Sequence, residues 1–213
     1  MRARCAAYAV AAVVGAPASA SATDVAVDQP CYAQGRAMEV SGSGYTPNSI
    51  ATLTVGGTTT SADTDATGAF TTSLSAPMTA LELPGAVQFT LAAHDVDSGA
   101  DTSTTINVAR VGVDALPRTA KPHARITWYL AGFPSQKAIY GHWRFGGKTR
   151  ANHRMGFPSG PCGVLTAKAR QIEAKRIRFG TWTVQFDHNR VYDKHAQPSV
   201  IAKVRVSRTF AKR

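Results

Sequence analysis

This 213-residue chain has no apolar run long enough to cross a bilayer as a helix. The longest uncharged stretch of that kind, residues 5–16, is about a dozen residues against the roughly 20 that a span requires. No glycine-rich phosphate loop follows a strand and opens a helix, which argues against a P-loop nucleotide site. The six histidines, His94, His123, His142, His153, His188 and His195, include no pair at short metal-ligand spacing, so zinc is not expected. Cysteine is scarce, with only Cys5, Cys31 and Cys162. Acidic residues are few as well: 13 against 24 Lys and Arg, a formal net charge of +11. On these absences the sequence reads as a protein without a cofactor or metal, and without catalytic machinery of a familiar pattern.

At the N-terminus Arg2 and Arg4 precede the uncharged run, and Ala18-Ser19-Ala20 and Ala20-Ser21-Ala22 follow it as small-x-small patterns. That three-part layout predicts a secretory signal over residues 1–22, removed together with Cys5. The mature chain is then expected outside the cytoplasm, secreted or associated with the cell envelope, with no integral membrane segment left.

Charge divides what remains. From Thr23 to Ala115 ten acidic residues face only Arg36 and Arg110, whereas from Leu116 onward 20 basic residues face Glu173, Asp187 and Asp193. A step of this size marks a domain boundary, placed in Val113-Asp114-Ala115-Leu116-Pro117. It gives an acidic domain over 23–113 and a basic one over 117–213. Short apolar and Thr-rich runs at 37–40, 50–55, 69–74, 87–93 and 104–111 read as strands, separated by Gly, Pro, Asn and Asp turns. The expected class is all-β, with small antiparallel sandwiches.

The second half repeats the first weakly. Gly44-Tyr45-Thr46-Pro47 has a counterpart in Gly132-Phe133-Pro134, and the run ending Val55-Gly56-Gly57 has one in Phe145-Gly146-Gly147. Gly68-Ala69-Phe70 similarly matches Gly180-Thr181-Trp182. With those anchors the second copy carries an insertion over 148–179, able to hold two added strands or a short helix at 168–172. Cys31-Tyr32-Ala33-Gln34-Gly35, Gly42-Ser43-Gly44-Tyr45-Thr46-Pro47-Asn48, Leu130-Ala131-Gly132-Phe133 and Gly160-Pro161-Cys162-Gly163 together resemble exported bacterial proteins with tandem immunoglobulin-like domains. The resemblance implies two immunoglobulin-like sandwiches in tandem at or beyond the envelope, in a family whose domains serve mostly as spacers or adhesive modules.

Four constellations remain as candidate chemistry. Cys31 and Cys162 could form a disulfide in an oxidising compartment, although they fall in different domains and a head-to-tail array does not favour their meeting. Alternatively, Cys162 in Ser159-Gly160-Pro161-Cys162-Gly163, which follows Gly141-His142 and His153, could be a nucleophile activated by His153 and the surrounding Arg and Lys, in the manner of the cysteine transpeptidases of the cell wall. Against that pattern, Pro161 stands before the cysteine where those enzymes have histidine, and no arginine follows shortly after. Asp63 with Asp65, and Asp95 with Asp97 and Asp101, have the spacing of oxygen-rich cation loops, but such residues are also what strand-joining turns prefer.

The basic second half is the strongest functional signal. Arg144, Lys148, Arg150, Arg154, Lys168, Arg170, Arg176 and Arg178, with Lys175 among them, are set against Glu173 alone. Such a surface attracts anionic cell-envelope polymers or glycans through non-specific electrostatics. Tyr140, Trp143 and Phe145 lie beside these cations, but strand alternation puts Trp143 and Phe145 on one face, which points to core. The sequence therefore predicts a non-enzymatic exported binding or structural module.

Overall fold

A computed structural model describes residues 22–134 and 136–207; the secretory signal read at 1–22 lies, but for Ala22, outside the described residues. Fifteen strands and no helix form among them. The first eight are β1 (Asp24–Val27), β2 (Tyr32–Ala33), β3 (Ala37–Ser43), β4 (Ile50–Val55), β5 (Thr58–Asp63), β6 (Phe70–Ser75), β7 (Gly85–Asp95) and β8 (Asp101–Arg110). They make a three-stranded sheet, β1-β3-β6, and a five-stranded sheet, β2-β8-β7-β4-β5. The remaining seven are β9 (Gly112–Leu116), β10 (Arg125–Ala131), β11 (Ile139–Phe145), β12 (Lys148–Gly156), β13 (Leu165–Arg170), β14 (Gly180–Asp187) and β15 (Val200–Val206). These form a second pair of sheets, β13-β10-β9 and β12-β11-β14-β15.

The strand order is that of an immunoglobulin-like sandwich, made twice. In each unit the first, second and fifth main strands pair on one sheet, and the third, fourth, sixth and seventh on the other. Alternation explains why these residues build two-sided sheets. In β4, Ala51, Leu53 and Val55 are buried while the threonines between them face outward. The first interior gathers Met38, Val40, Leu53, Leu91, Ile106 and Val108, with Tyr45 edge-on to Phe70 at 5.2 Å. The second gathers Trp128, Trp143, Trp182 and Phe186, with Trp128 and Phe186 centroids 5.1 Å apart. Trp143 is therefore core, as its strand position predicted.

The sequence repeat needs one correction. The Gly44 and Gly132 loops are equivalent, and so are the Gly56-Gly57 and Gly146-Gly147 hairpins. The third match is not: β6, after Gly68, lies in a three-stranded sheet, whereas β14, from Gly180, lies in the four-stranded one. The counterpart of β14 is β7. A glycine followed by an aromatic marks a strand start in both places, without marking the same strand. The stretch 148–179 is thus no added piece, because β12 and β13 occupy the places of β5 and β6, and residues 168–172 are strand and turn rather than helix.

Cys31 and Cys162 are joined, with their Cα atoms 5.2 Å apart. The head-to-tail argument against this pairing fails for a local reason. The loop between β12 and β13 folds back against the end of β10, where Gly132 N–H donates to the Cys162 carbonyl at 3.1 Å and Phe133 N–H to Gly163 at 3.3 Å. That holds Cys162 at the end of the second sandwich facing the first, where the turn before β2 meets it.

Candidate anion-binding groove

The eight cations singled out in the sequence are not one patch. β12 is an edge strand, and its pairing with β11 skips one residue between Thr149 and Ala151. The resulting bulge leaves Arg150 without a cross-strand partner and turns it outward. Facing it runs the connection from β13 to β14. Ile172 and Ala174 are buried in the core and anchor that connection. Its backbone is fixed as well: Gln171 N–H donates to Ala124, Ile172 N–H to Pro122, and the Gln171 carbonyl accepts from Trp143 Nε1 at 2.8 Å. Further on, Trp182 Nε1 donates to the Arg178 carbonyl at 2.9 Å. With these points tied down, Lys175, Arg176 and Arg178 stay exposed.

A groove of about 540 Å³ separates the bulge from this connection, lined by Arg150, Asn152, Glu173, Lys175, Arg176 and Arg178 over the ring of Trp182. Glu173 is engaged at its edge, accepting the Arg170 backbone N–H at 2.9 Å. Among the described residues, Arg118 pairs with Asp114, and the rings of His94 and His142 contact Asp101 and Asp187. None of the four cations of the groove takes part. Four unpaired positive charges around one concave surface form a site that a multiply charged anion would neutralise.

The other predicted cations go elsewhere. Arg144 is half-buried on the outer face of the four-stranded sheet, with its guanidinium 4.0 Å over the Tyr192 ring and one Nη donating to the Tyr192 hydroxyl at 2.7 Å. It fastens the β14–β15 loop. Arg154 stacks on exposed Phe157 at 4.6 Å, at the far end of β12. Lys168 and Arg170 lie on the outer face of the three-stranded sheet, where Arg170 sits opposite Arg125. Lys148 follows the Gly146-Gly147 turn.

Sequence reasoning missed a buried polar cluster under the β14–β15 loop. His142 and Asp187 are both inaccessible, with Nε2 3.2 Å from Oδ1. The other ring nitrogen meets Asn152 Oδ1 at 2.8 Å, and Gln185 donates to Asp187 at 2.7 Å and to the Asp193 carbonyl. The pairings span up to 45 residues, so no local signal announced them.

The cysteine-nucleophile reading is overturned, since a sulfur held in a disulfide and buried is no thiolate. Of the histidines upstream of Cys162, His142 belongs to the buried cluster, and His153 lies edge-on to the Trp143 ring with centroids 6.4 Å apart. Of the aspartates spaced like cation loops, Asp95 and Asp65 act as turn clasps. Asp95 Oδ2 accepts the Thr46 N–H and hydroxyl, each at 2.8 Å, and the Ser98 hydroxyl at 2.7 Å. Burial alone would raise its pKa, but these bonds outweigh that and hold the carboxyl well below the usual range. Asp65 is lowered chiefly by the Thr67 hydroxyl, which it accepts at 2.6 Å. Among the described residues no group of three or more His, Cys, Asp or Glu is placed to share a metal ion.

No family model and no curated protein matches the sequence. Solved structures similar to parts or all of it include fibronectin(III)-like modules of Clostridium thermocellum CbhA, at 16% identity, 86% of this chain, 94% of that one and a TM-score of 0.29. A tetra-tandem repeat from the extending region of a large adhesion protein aligns at 14% identity over 85% of this chain, with a TM-score of 0.29. This chain spans 47% of that repeat's length. Salmonella alpha-2-macroglobulin aligns at 13% identity over 90% of this chain and 15% of its own, with a TM-score of 0.34. The immunoglobulin-like assignment rests on the strand order itself.

Proposed function

We propose that this chain is a non-enzymatic, exported binding or structural module whose second sandwich holds anionic envelope polymers or glycans in the groove of Arg150, Lys175, Arg176 and Arg178. The observation that carries the reading is the set of four exposed cations without carboxylate partners around one concave surface. The disulfide suits an oxidising compartment, and its formation leaves Cys162 without the thiolate that a transpeptidase would need. The charge step adds to the reading, because an acidic first sandwich turns a linear polyanion away from one half and toward the other.

The test is retention on immobilised dextran sulfate, read as the salt concentration of elution. The quadruple variant Arg150→Gln, Lys175→Gln, Arg176→Gln, Arg178→Gln is expected to elute at clearly lower salt than the parent. Removing the cations of the opposite sheet, with Arg125→Gln, Lys168→Gln and Arg170→Gln, should cost much less. Equal losses from the two sets would reduce the groove to general charge, and unchanged elution of the quadruple variant would end the proposal.

A further inference from the structure

The second sandwich leaves open a position that the first one fills. In the first unit β2 adds to β8 in parallel, Tyr32 opposite Val108 and Ala33 opposite Ala109. The strand equivalent to β8 is β15, which pairs with β14 on one side only. The segment that would supply a counterpart of β2, residues 117–124, turns instead toward the end of β13, where Pro122 and Ala124 accept from Ile172 and Gln171. Between β9 and β15 there remains a cleft of about 490 Å³. Ile126, Trp128 and Val204 give it an apolar lining, and Lys203 and Arg205 stand exposed on β15 beside it.

Two further features single this cleft out. The first is an orphan donor. Trp143 and Trp182 both donate their indole N–H to backbone carbonyls, but Trp128, 1% exposed, has no acceptor for its own. Buried donors of this kind are nearly always satisfied, and leaving one unmade costs on the order of 1–3 kcal/mol. The second is the alternation of β15: Ala202 and Val204 turn inward, while Lys203 and Arg205 turn out with no ion-pair partner among the described residues.

We propose that the β9–β15 cleft binds an extended acidic polypeptide segment, which adds as a strand to the free edge of β15. Strand addition supplies the backbone partners that an edge lacks, and alternate side chains read the pocket. Apolar residues of the incoming strand enter the cleft against Ile126 and Val204. Its carboxylates, on the opposite face, lie beside Lys203 and Arg205, where opposite charges on neighbouring strands attract. The strand also brings an acceptor for the Trp128 N–H.

The probe is an end-blocked octapeptide alternating valine and aspartate, with a valine-lysine twin as control, added to the isotopically labelled, disulfide-intact chain. The aspartate peptide should shift the Trp128 indole resonance and slow exchange of the β15 amides by about tenfold, and the lysine twin should do neither. Lys203→Glu with Arg205→Glu, both at exposed positions, should reverse the preference, whereas the quadruple groove variant should leave it intact. The proposal is overturned if both peptides bind alike, if the shifts are confined to the Arg150–Arg178 groove, if millimolar aspartate peptide leaves Trp128 and β15 unmoved, or if sedimentation shows that self-association alone protects β15.

Discussion

A single carboxylate, Asp95, closes the end of the first sandwich where β7 turns toward β8, and it shows how much one buried residue can decide. It ties the turn at Ser98 to the loop at Thr46, which lies 49 positions before Asp95 itself. Because its folded pKa is depressed, the ionised form is what the fold stabilises. That stability is fully present above the ordinary carboxylate pKa near 4 and is lost as the pH falls through the lower folded value. Asp95→Asn is expected to cost about 2 kcal/mol at pH 7. The gap between variant and parent should narrow on acidification below pH 4, as read by urea unfolding across a pH series. A gap that stays constant down to pH 2 would show that the charge is immaterial. At this scale the sequence exposed which residues were charged but not what each one faced: Arg144 and Tyr192 lie 48 positions apart, and only the folded sheet brings them together.

At the scale of elements, strands with strong alternation were readable. The runs at 50–55 and 87–93 correspond to β4 and β7, while β5, a strand of threonine and serine with little apolar content, gave no such signal. The groove escaped for a similar reason. Its position depends on a bulge at Arg150 and on a connection anchored by Ile172, and neither has a distinctive sequence pattern. Glycine conformation offers a cleaner test of local constraint. Gly163 has φ of +57°, and a Cβ there would lie 1.7 Å from the Phe133 carbonyl oxygen. Gly160, three residues before it in the same loop, has φ of +68° with open space around it. Gly163→Ala should therefore lower stability by about 3 kcal/mol or more, since strain and a clash combine, whereas Gly160→Ala should cost about 1 kcal/mol. Similar melting temperatures for the two variants would contradict this account of the loop.

For the whole molecule, the charge step suggested two halves but set their boundary at Val113–Pro117, which falls on β9 (Gly112–Leu116), the first strand of the second sandwich; the cysteine pair was the least decidable feature. Cα geometry governs a disulfide, and that geometry depends on how the end of one sandwich meets the other. Thiol titration of the denatured chain should find Cys31 and Cys162 unreactive until reductant is added. Replacing both with serine should leave each sandwich folded but separate their calorimetric transitions, because the covalent tie that makes one unit's unfolding restrict the other is gone. A variant melting in the same way as the parent would show that the contact between the sandwiches suffices without the bond.

The same bond changes how the chain would carry load. If tension were applied at its two ends, force would pass from Cys31 through the sulfurs to Cys162 and bypass everything between. The enclosed segment, a sequence separation of 131, represents roughly 430 to 470 Å of extended chain that pulling does not release. Most of the first sandwich and the front half of the second are thereby shielded, and only β1 and the strands from β13 onward lie in the line of pull. An oxidised copy can lengthen only by drawing out β1 and β13 to β15, whereas a reduced copy can pay out the enclosed segment as well.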